Sequence, residues 1–343
     1  MRRTAVVLAT NLIVGAAALV YLLHRFGTPA VLLLGRHRSI PFLLAFCGVV
    51  LVALAIDAWR WRVLLVGLGE RPGMVRLAAF RAAGQSLSAL LPSAKLGGEP
   101  VRMFLLARER VSAARAIASV AVDRTVELGT STTAACVFAA LLLRQGVPAL
   151  GSVLLTLGLG TLGLGVGIGL TVRRLRRGAG LVTAFARRTR LDRLGFVRDR
   201  LGVLTEAEAA AAHLVAEPGL IAVAFGAGLV GTGCALLEYH LLLAAFQLPH
   251  TPIAIVAAVF ATGAAHALPV PAGVGVLEGA MLWLFTALGH PPAVGLAIGF
   301  VARLREVVWV LPGLLYLAAH DLVSRRRAAP APVELRAVGG SRA

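Results

Sequence analysis

Cysteine and acidic residues are scarce in this chain, and several catalytic signatures are missing altogether. The three cysteines, Cys47, Cys136 and Cys234, all fall inside apolar runs. No C-x-x-C pair exists, so neither a disulfide framework nor a thiolate metal site is encoded. No H-E-x-x-H occurs, Glu238 and His240 lack further ligands, and no nucleophile is spaced with a base. Catalytic residues, metal ligands and cofactors are therefore all expected to be none. The run GLGTLG at 158–163 fits a dinucleotide fingerprint in form only, because it lies within an apolar run with no strand before it. Its glycines instead suit close helix packing. Asp and Glu number 16 against 34 Lys and Arg, a formal charge of +18. On a soluble chain that excess would suggest nucleic acid. Here 58% of residues are hydrophobic and mean hydropathy is +0.85, which excludes an ordinary soluble domain. Arginine collects in the cytoplasmic loops of membrane proteins and meets an anionic leaflet there. The expected partners are membrane lipids, anionic ones first, and not nucleic acid.

What is present is a series of apolar runs near 4–23, 40–58, 116–143, 149–172, 219–246 and 293–318, each long enough to cross a bilayer. The first follows a basic start, but it is too long for a signal-peptide core and ends in His24-Arg25, so it is read as a retained span. Two further segments, 77–92 and 253–268, are shorter, stop at a proline and are followed by glycines and a glutamate. They suit re-entrant hairpins, which persist where they line an enclosed cavity. Residues 201–216 read as a surface helix. Segments 1–3, 58–115, 173–218 and 321–343 hold 2, 10, 10 and 5 Lys+Arg, whereas 24–39, 144–148 and 247–292 hold 3, 1 and 0. That asymmetry places both termini in the cytoplasm. The expected fold is an all-α integral membrane protein of about six full spans plus two re-entrant helical hairpins, or eight spans if 253–268 and 274–288 both cross. Residues 1–323 form the membrane domain, with a basic cytoplasmic loop at 173–218, and 324–343 form a disordered tail.

A repeated motif organises these runs. LPSAKLGGEPVR at 91–102 contains Pro92, Gly97, Gly98, Glu99 and Arg102; LPVPAGVGVLE at 268–278 contains Pro269, Gly273, Gly275 and Glu278. Twenty-five residues after Glu99 comes Arg124, with Glu127 three further; twenty-five after Glu278 comes Arg303, with Glu306 three further. With the arginine-derived topology, this spacing implies an inverted repeat with halves of about 1–145 and 146–323, the plan of many transporters. Asp123, Arg124, Glu127, Glu238, Arg303, Arg305 and Glu306 fall inside spans, where each charge costs about 2.5–3.5 kcal/mol on insertion scales. They need partners, and Arg124–Glu127 and Arg303–Glu306 share a helix face. Either they are self-neutralised pairs joining helices, or the arginines bind a lipid phosphate as bidentate forks while the glutamates position them. The four glycines either turn the chain tightly or present backbone N–H groups to an anion. Lys95 reads as an interfacial lysine and His266 as a lining or packing residue. No nucleotide motif supplies energy, leaving a lipid gradient or protons carried on Glu99 or Glu278.

LLPSAKLGGEPVR with VDRTVEL, then LPVPAGVGVLEG with the RLRE helix, resembles the flippase-like membrane region of lysylphosphatidylglycerol synthases over roughly residues 4–322. The resemblance implies lipid translocation between leaflets of a bacterial inner membrane. By position, it carries over Pro92, Gly97, Gly98, Glu99, Arg102, Asp123, Arg124, Glu127, Pro269, Gly273, Gly275, Glu278 and Arg303. The bifunctional synthases add a soluble aminoacyl-transferase domain after this region. The sequence ends about 20 residues past its last span, so lysyl transfer is not expected, and no enzymatic activity is assigned. GGE and VDRTVEL also look similar to a branch associated with hopanoid biosynthesis, which would make lipid-biosynthesis enzymes partners. Three functions thus stand: a transporter, an intramembrane lipid-modifying enzyme using Glu99, Asp123 or His266, and a scaffold recruiting enzymes through its basic loop. The topology is testable with the three native cysteines replaced. A cysteine at Gln247 should react with an impermeant maleimide on intact cells, and one at Arg177 only after permeabilisation. The opposite labelling pattern would reverse the orientation.

Overall fold

The computed structural model describes residues 2–36, 38–90, 97–144, 151–178, 180, 188–189, 201–268, 270 and 273–328. Among the described residues there are eleven α-helices and no strand. In chain order they are α1 Arg2–Arg36, α2 Ile40–Gly67, α3 Met74–Leu90, α4 Glu99–Ala107, α5 Ala113–Arg144 and α6 Gly151–Arg176. Then come α7 Leu201–Ala216, α8 Pro218–Ala245, α9 Pro252–Ala267, α10 Val276–Ala287 and α11 Pro292–Ala328. Pro92, Lys95, Pro269, most of the basic loop and residues 329–343 lie outside the described residues.

Prolines and extended caps mark the helix starts. Ser39 and Glu217 hold extended conformations just before α2 and α8, with Pro41 and Pro218 in the first turn. Proline lacks only an amide hydrogen that is unused at that position, and its φ already suits a helix. Thr251 caps α9 by accepting from the Ala254 amide at 3.4 Å. Three expected boundaries move. α1 continues past residue 23 to Arg36, through Pro29. α11 carries Pro312 inside and reaches Ala328, beyond the expected start of the tail at Ser324. α2 runs to Gly67 rather than ending at residue 58. Charge made Arg60 and Arg62 look like loop, but Arg60 is held in the helix by Asp57 one turn back and by Asp123 of α5.

Three helical stretches among the described residues are long and apolar enough to cross a membrane: Ala16–Gly35, α2 and α8. α5 and α11, of 32 and 37 residues, are longer but carry the ionic groups. α3, α9 and α10, of 17, 16 and 12 residues, span about 26, 24 and 18 Å at 1.5 Å per residue, short of a hydrocarbon core of about 30 Å. Much of the outer surface is large apolar side chain, including Leu44, Leu51, Leu159, Leu162, Val230 and Leu315. A surface of this kind on a soluble protein would be an interaction site; here it faces lipid.

α2 and α8 pack along each other, α11 lies against α3 and α10, and α5 lies against α6, α7 and α8. The surface helix expected at 201–216 is α7. It buries Ala207, and its Ala211, Leu214 and Val215 join a cluster that also holds Val122 and Val126 of α5. Contact between α3 and α11 depends on the absence of a side chain at Gly313. A Cβ there would lie 2.1 Å from the Ala82 carbonyl oxygen and 2.2 Å from Ser86 Oγ. Ser86 Oγ itself donates across this contact to the Val310 carbonyl at 2.6 Å. Gly313→Ala should therefore lower the detergent melting midpoint, as overpacking typically costs about 1–3 kcal/mol. Gly233→Ala in α8, where an added Cβ meets nothing within 4 Å, should leave it unchanged or raise it. Equal midpoints for the two variants would contradict the packing.

Candidate functional site

Asp123 is the centre of the first ionic cluster. It is fully buried on α5 and accepts from Arg60 Nε at 2.9 Å, from Arg102 Nη2 at 2.7 Å and from Arg81 Nη1. Arg60 also contacts Asp57, one turn back on α2, at 3.1 Å. Glu127, one turn along α5 from Asp123, binds Arg81 at 3.0 Å and Arg124 at 2.9 Å. Glu99 meets Arg102 at 3.2 Å and Arg124 at 3.7 Å. Four arginines and four carboxylates from α2, α3, α4 and α5 thus form one balanced network. The Trp61 ring lies 4.2 Å from the Arg102 guanidinium carbon and covers one face of that cation.

The second cluster lies among α8, α9, α10 and α11. Glu278 accepts from Arg303 Nε at 2.6 Å and Nη2 at 3.1 Å, and its Oε2 also caps α10 by accepting from the Gly275 amide at 2.9 Å. Arg303 reaches Glu306 at 2.6 Å and the Gly273 carbonyl at 2.8 Å. Glu238 on α8 accepts from Arg305 Nε at 2.6 Å and Trp309 Nε1 at 3.2 Å. His266 Nε2 lies 2.7 Å from Glu306 Oε1.

The repeated spacing has a physical basis in these contacts. At each copy of the motif, the glutamate in the first turn of the helix after the glycines meets an arginine on the following long helix: Glu99 with Arg124, and Glu278 with Arg303. Both i,i+3 pairs also form. Gly273 and Gly275 hold φ of +58° and +77°, a region open mainly to glycine. Gly98 permits close approach instead, because a Cβ there would sit 1.8 Å from the Gly84 carbonyl oxygen. The amides of Gly98 and Gly275 are already bound, to Ser88 Oγ at 2.9 Å and to Glu278 respectively.

A cavity of about 450 Å³ separates the two clusters. Asp57, Arg60 and Glu127 face it from one side; Glu238, Arg305 and Glu306 face it from the other. Arg124 and Arg303 are not in its wall. Arg124 instead lines a pocket of about 10 Å³ with Arg81, Glu99, Arg102 and Glu127, enough for one water. Asp57, Arg60 and Arg81 were not singled out as site residues by spacing. The signal that marks them is a run of charge (DAWRWR, and Arg81 within an apolar run) that a helix can bury only against counter-charges.

These features define a polytopic α-helical membrane protein with paired ionic groups gathered on two sides of an internal cavity. The family model described as the lysylphosphatidylglycerol synthase TM region matches residues 6–313, and the chain belongs to that family. No curated protein matches the chain.

Breaking a buried pair strands its partner, at about 3–5 kcal/mol. Asp123→Asn leaves three guanidinium groups facing a neutral amide, so it should sharply reduce folded yield and melting midpoint. Arg115→Gln, which removes a half-exposed pair with Glu70, should cost less than about 1 kcal/mol. Equal tolerance of both changes would show that Asp123 does not hold the cluster together.

Proposed function

We propose that this protein moves a polar or phosphate-bearing lipid between the leaflets of a bacterial inner membrane, with both termini in the cytoplasm. The observation that carries this reading is the 450 Å³ cavity, flanked on two sides by charged groups inside an apolar exterior. Such a volume suits a lipid head group, since ligand pockets span about 300–1,000 Å³. The acyl tails would remain in the bilayer beside it. Membership of a family defined by a lipid synthase's membrane region supports a lipid-related role.

The same reading makes the two halves inverted repeats, with α3–α4 and α9–α10 as re-entrant hairpins. Support comes from their register. α2 and α8 each have 28 residues and begin at 40 and 218, 178 apart; α3 and α9 begin at 74 and 252, also 178 apart. Glu99 and Glu278, and Arg124 and Arg303, are each 179 apart. Rocking of one half against the other would open the cavity to each leaflet in turn. In that motion Arg124 and Arg303 exchange a carboxylate for the lipid phosphate. Nε of Arg102 and of Arg124 are buried without a hydrogen-bond partner, and the same motion must widen their one-water pocket to bring these donors to the phosphate.

Lysine keeps the charge at these positions but loses the two-pronged geometry. The double variant Arg124→Lys, Arg303→Lys should slow transfer of fluorescent phosphatidylglycerol in proteoliposomes by about tenfold or more, the loss of one charge-assisted contact of about 1.5–3 kcal/mol. Dithionite quenching of the outer leaflet provides the measurement. An undiminished rate in a variant that still folds would reject the phosphate role.

A further inference from the structure

The two ionic clusters differ in charge. The first has four arginines for four carboxylates; the second has Arg303 and Arg305 for Glu238, Glu278 and Glu306, one positive charge too few. His266 sits where that charge is missing. Its Nδ1 lies 2.7 Å from the Thr262 carbonyl oxygen and its Nε2 lies 2.7 Å from Glu306 Oε1. A carbonyl oxygen only accepts, so Nδ1 carries a hydrogen. A neutral ring with hydrogen on Nδ1 turns a lone pair outward at Nε2. That lone pair would face a carboxylate oxygen at hydrogen-bonding distance, two acceptors in contact. Glu306 Oε1 is buried and has no hydrogen bond among the described residues, although His266 Nε2 lies 2.7 Å away. A proton between the two atoms removes the conflict, satisfies the oxygen and balances the cluster.

We propose that His266 and Glu306 share an exchangeable proton and form a proton-binding site in the cavity wall. Both residues line the cavity, which gives water a route to them. The charged and titratable groups around the pair come from several helices. Arg303 and Arg305 are on α11, Glu238 and Tyr239 on α8, and Glu278 on α10; Asp57, Arg60 and Glu127 face it across the cavity from α2 and α5, backed by Arg81 of α3. Among the described residues, α1 brings no group to the cavity wall. Glu99 and Glu278 are each held by an arginine, at 3.2 and 2.6 Å, whereas Glu306 meets His266 as well as Arg303. Arg303 bridges Glu278 and Glu306 at 2.6 Å each. Loss of the proton leaves Glu306 to that arginine alone and draws Arg303 from the α10 carboxylate. The proton thus sets how firmly α10 is tied to α11. Resting on the transport reading above, this would couple lipid movement to proton uptake and release.

The site itself is tested without transport. Full-length protein in nanodiscs, labelled with nitrogen-15 at its eight histidines, gives the His266 signals by difference from His266→Gln. In the wild type His266 should have hydrogen on Nδ1. The shared proton should appear either as a second hydrogen on Nε2 or as a carboxylic-acid infrared band that Glu306→Gln abolishes. In Glu306→Gln the side-chain amide donates to Nε2, so His266 should become a neutral ring with hydrogen on Nδ1. A bare Nδ1 in the wild type, or the absence of both proton signatures, overturns the proposal. Coupling is read separately from fluorescent phosphatidylglycerol in proteoliposomes under an imposed gradient. With one proton per lipid, each pH unit should shift the leaflet ratio by up to about tenfold in the wild type, or about 1.4 kcal/mol, and not at all in His266→Gln. Lipid movement indifferent to the gradient in both proteins overturns the coupling. No lipid movement under any condition sinks the transport reading, while the spectroscopic result for the dyad stands.

Discussion

An ion taken out of water must find a counter-ion, and this structure is arranged around that demand. Isolated charges in a low-dielectric interior cost several kcal/mol each even after relaxation. α5 and α11 nevertheless carry Asp123, Arg124 and Glu127, and Arg303, Arg305 and Glu306 respectively. Some partners stand one turn away on the same helix. The rest come from α2, α3 and α4 for α5, and from α8, α9 and α10 for α11. The short helices that bring Glu99 and Glu278 back into the interior are tied there by these pairs. Pairing accounts for where the backbone turns as well as for which residues are charged.

The small residues follow from the same demand. Close approach of α4 to α3 brings Arg102 and Glu99 within reach of α5, and a side chain at Gly98 would block it. A turn with φ of +77° at Gly275 lets Glu278 cap α10 and hold Arg303 at once. Glycine at these points is a geometric requirement of the ion pairs rather than a source of anion-binding amides. An alternative in which the glycines alone formed the site would leave those amides open, yet Gly98 and Gly275 donate to Ser88 and Glu278.

The sequence made the class, the long helices and the Glu–Arg spacing legible because each leaves a local or periodic trace. Length and hydropathy marked α8 and α9 within a residue of their observed ends, and the 25-residue spacing identified contacts that form in both halves. Less legible were partners separated in sequence. Arg60 and Asp123 lie 63 positions apart, and Glu238 and Arg305 lie 67 apart. No spacing rule connects them, and charge near the end of α2 imitated a loop. His266 was legible as a residue but not as a role, because its significance lies in facing Thr262 and Glu306 together. The two clusters also differ where the motif spacing would align them: 179 residues after Asp123 stands Ala302, and 178 after Arg60 stands Glu238. Each cluster therefore balances its charge differently, which the motif spacing does not reveal.

The central claim is that the chamber between the two clusters receives lipid head groups. A phospholipid carrying a photoreactive diazirine on its head group, cross-linked in native membranes and mapped by mass spectrometry, tests this most directly. The account predicts adducts on cavity-facing segments of α5, α8 and α9, around Ser131, Thr232 and Thr262. Adducts confined to the outward apolar face of α6, around Leu159 and Leu162, would contradict it.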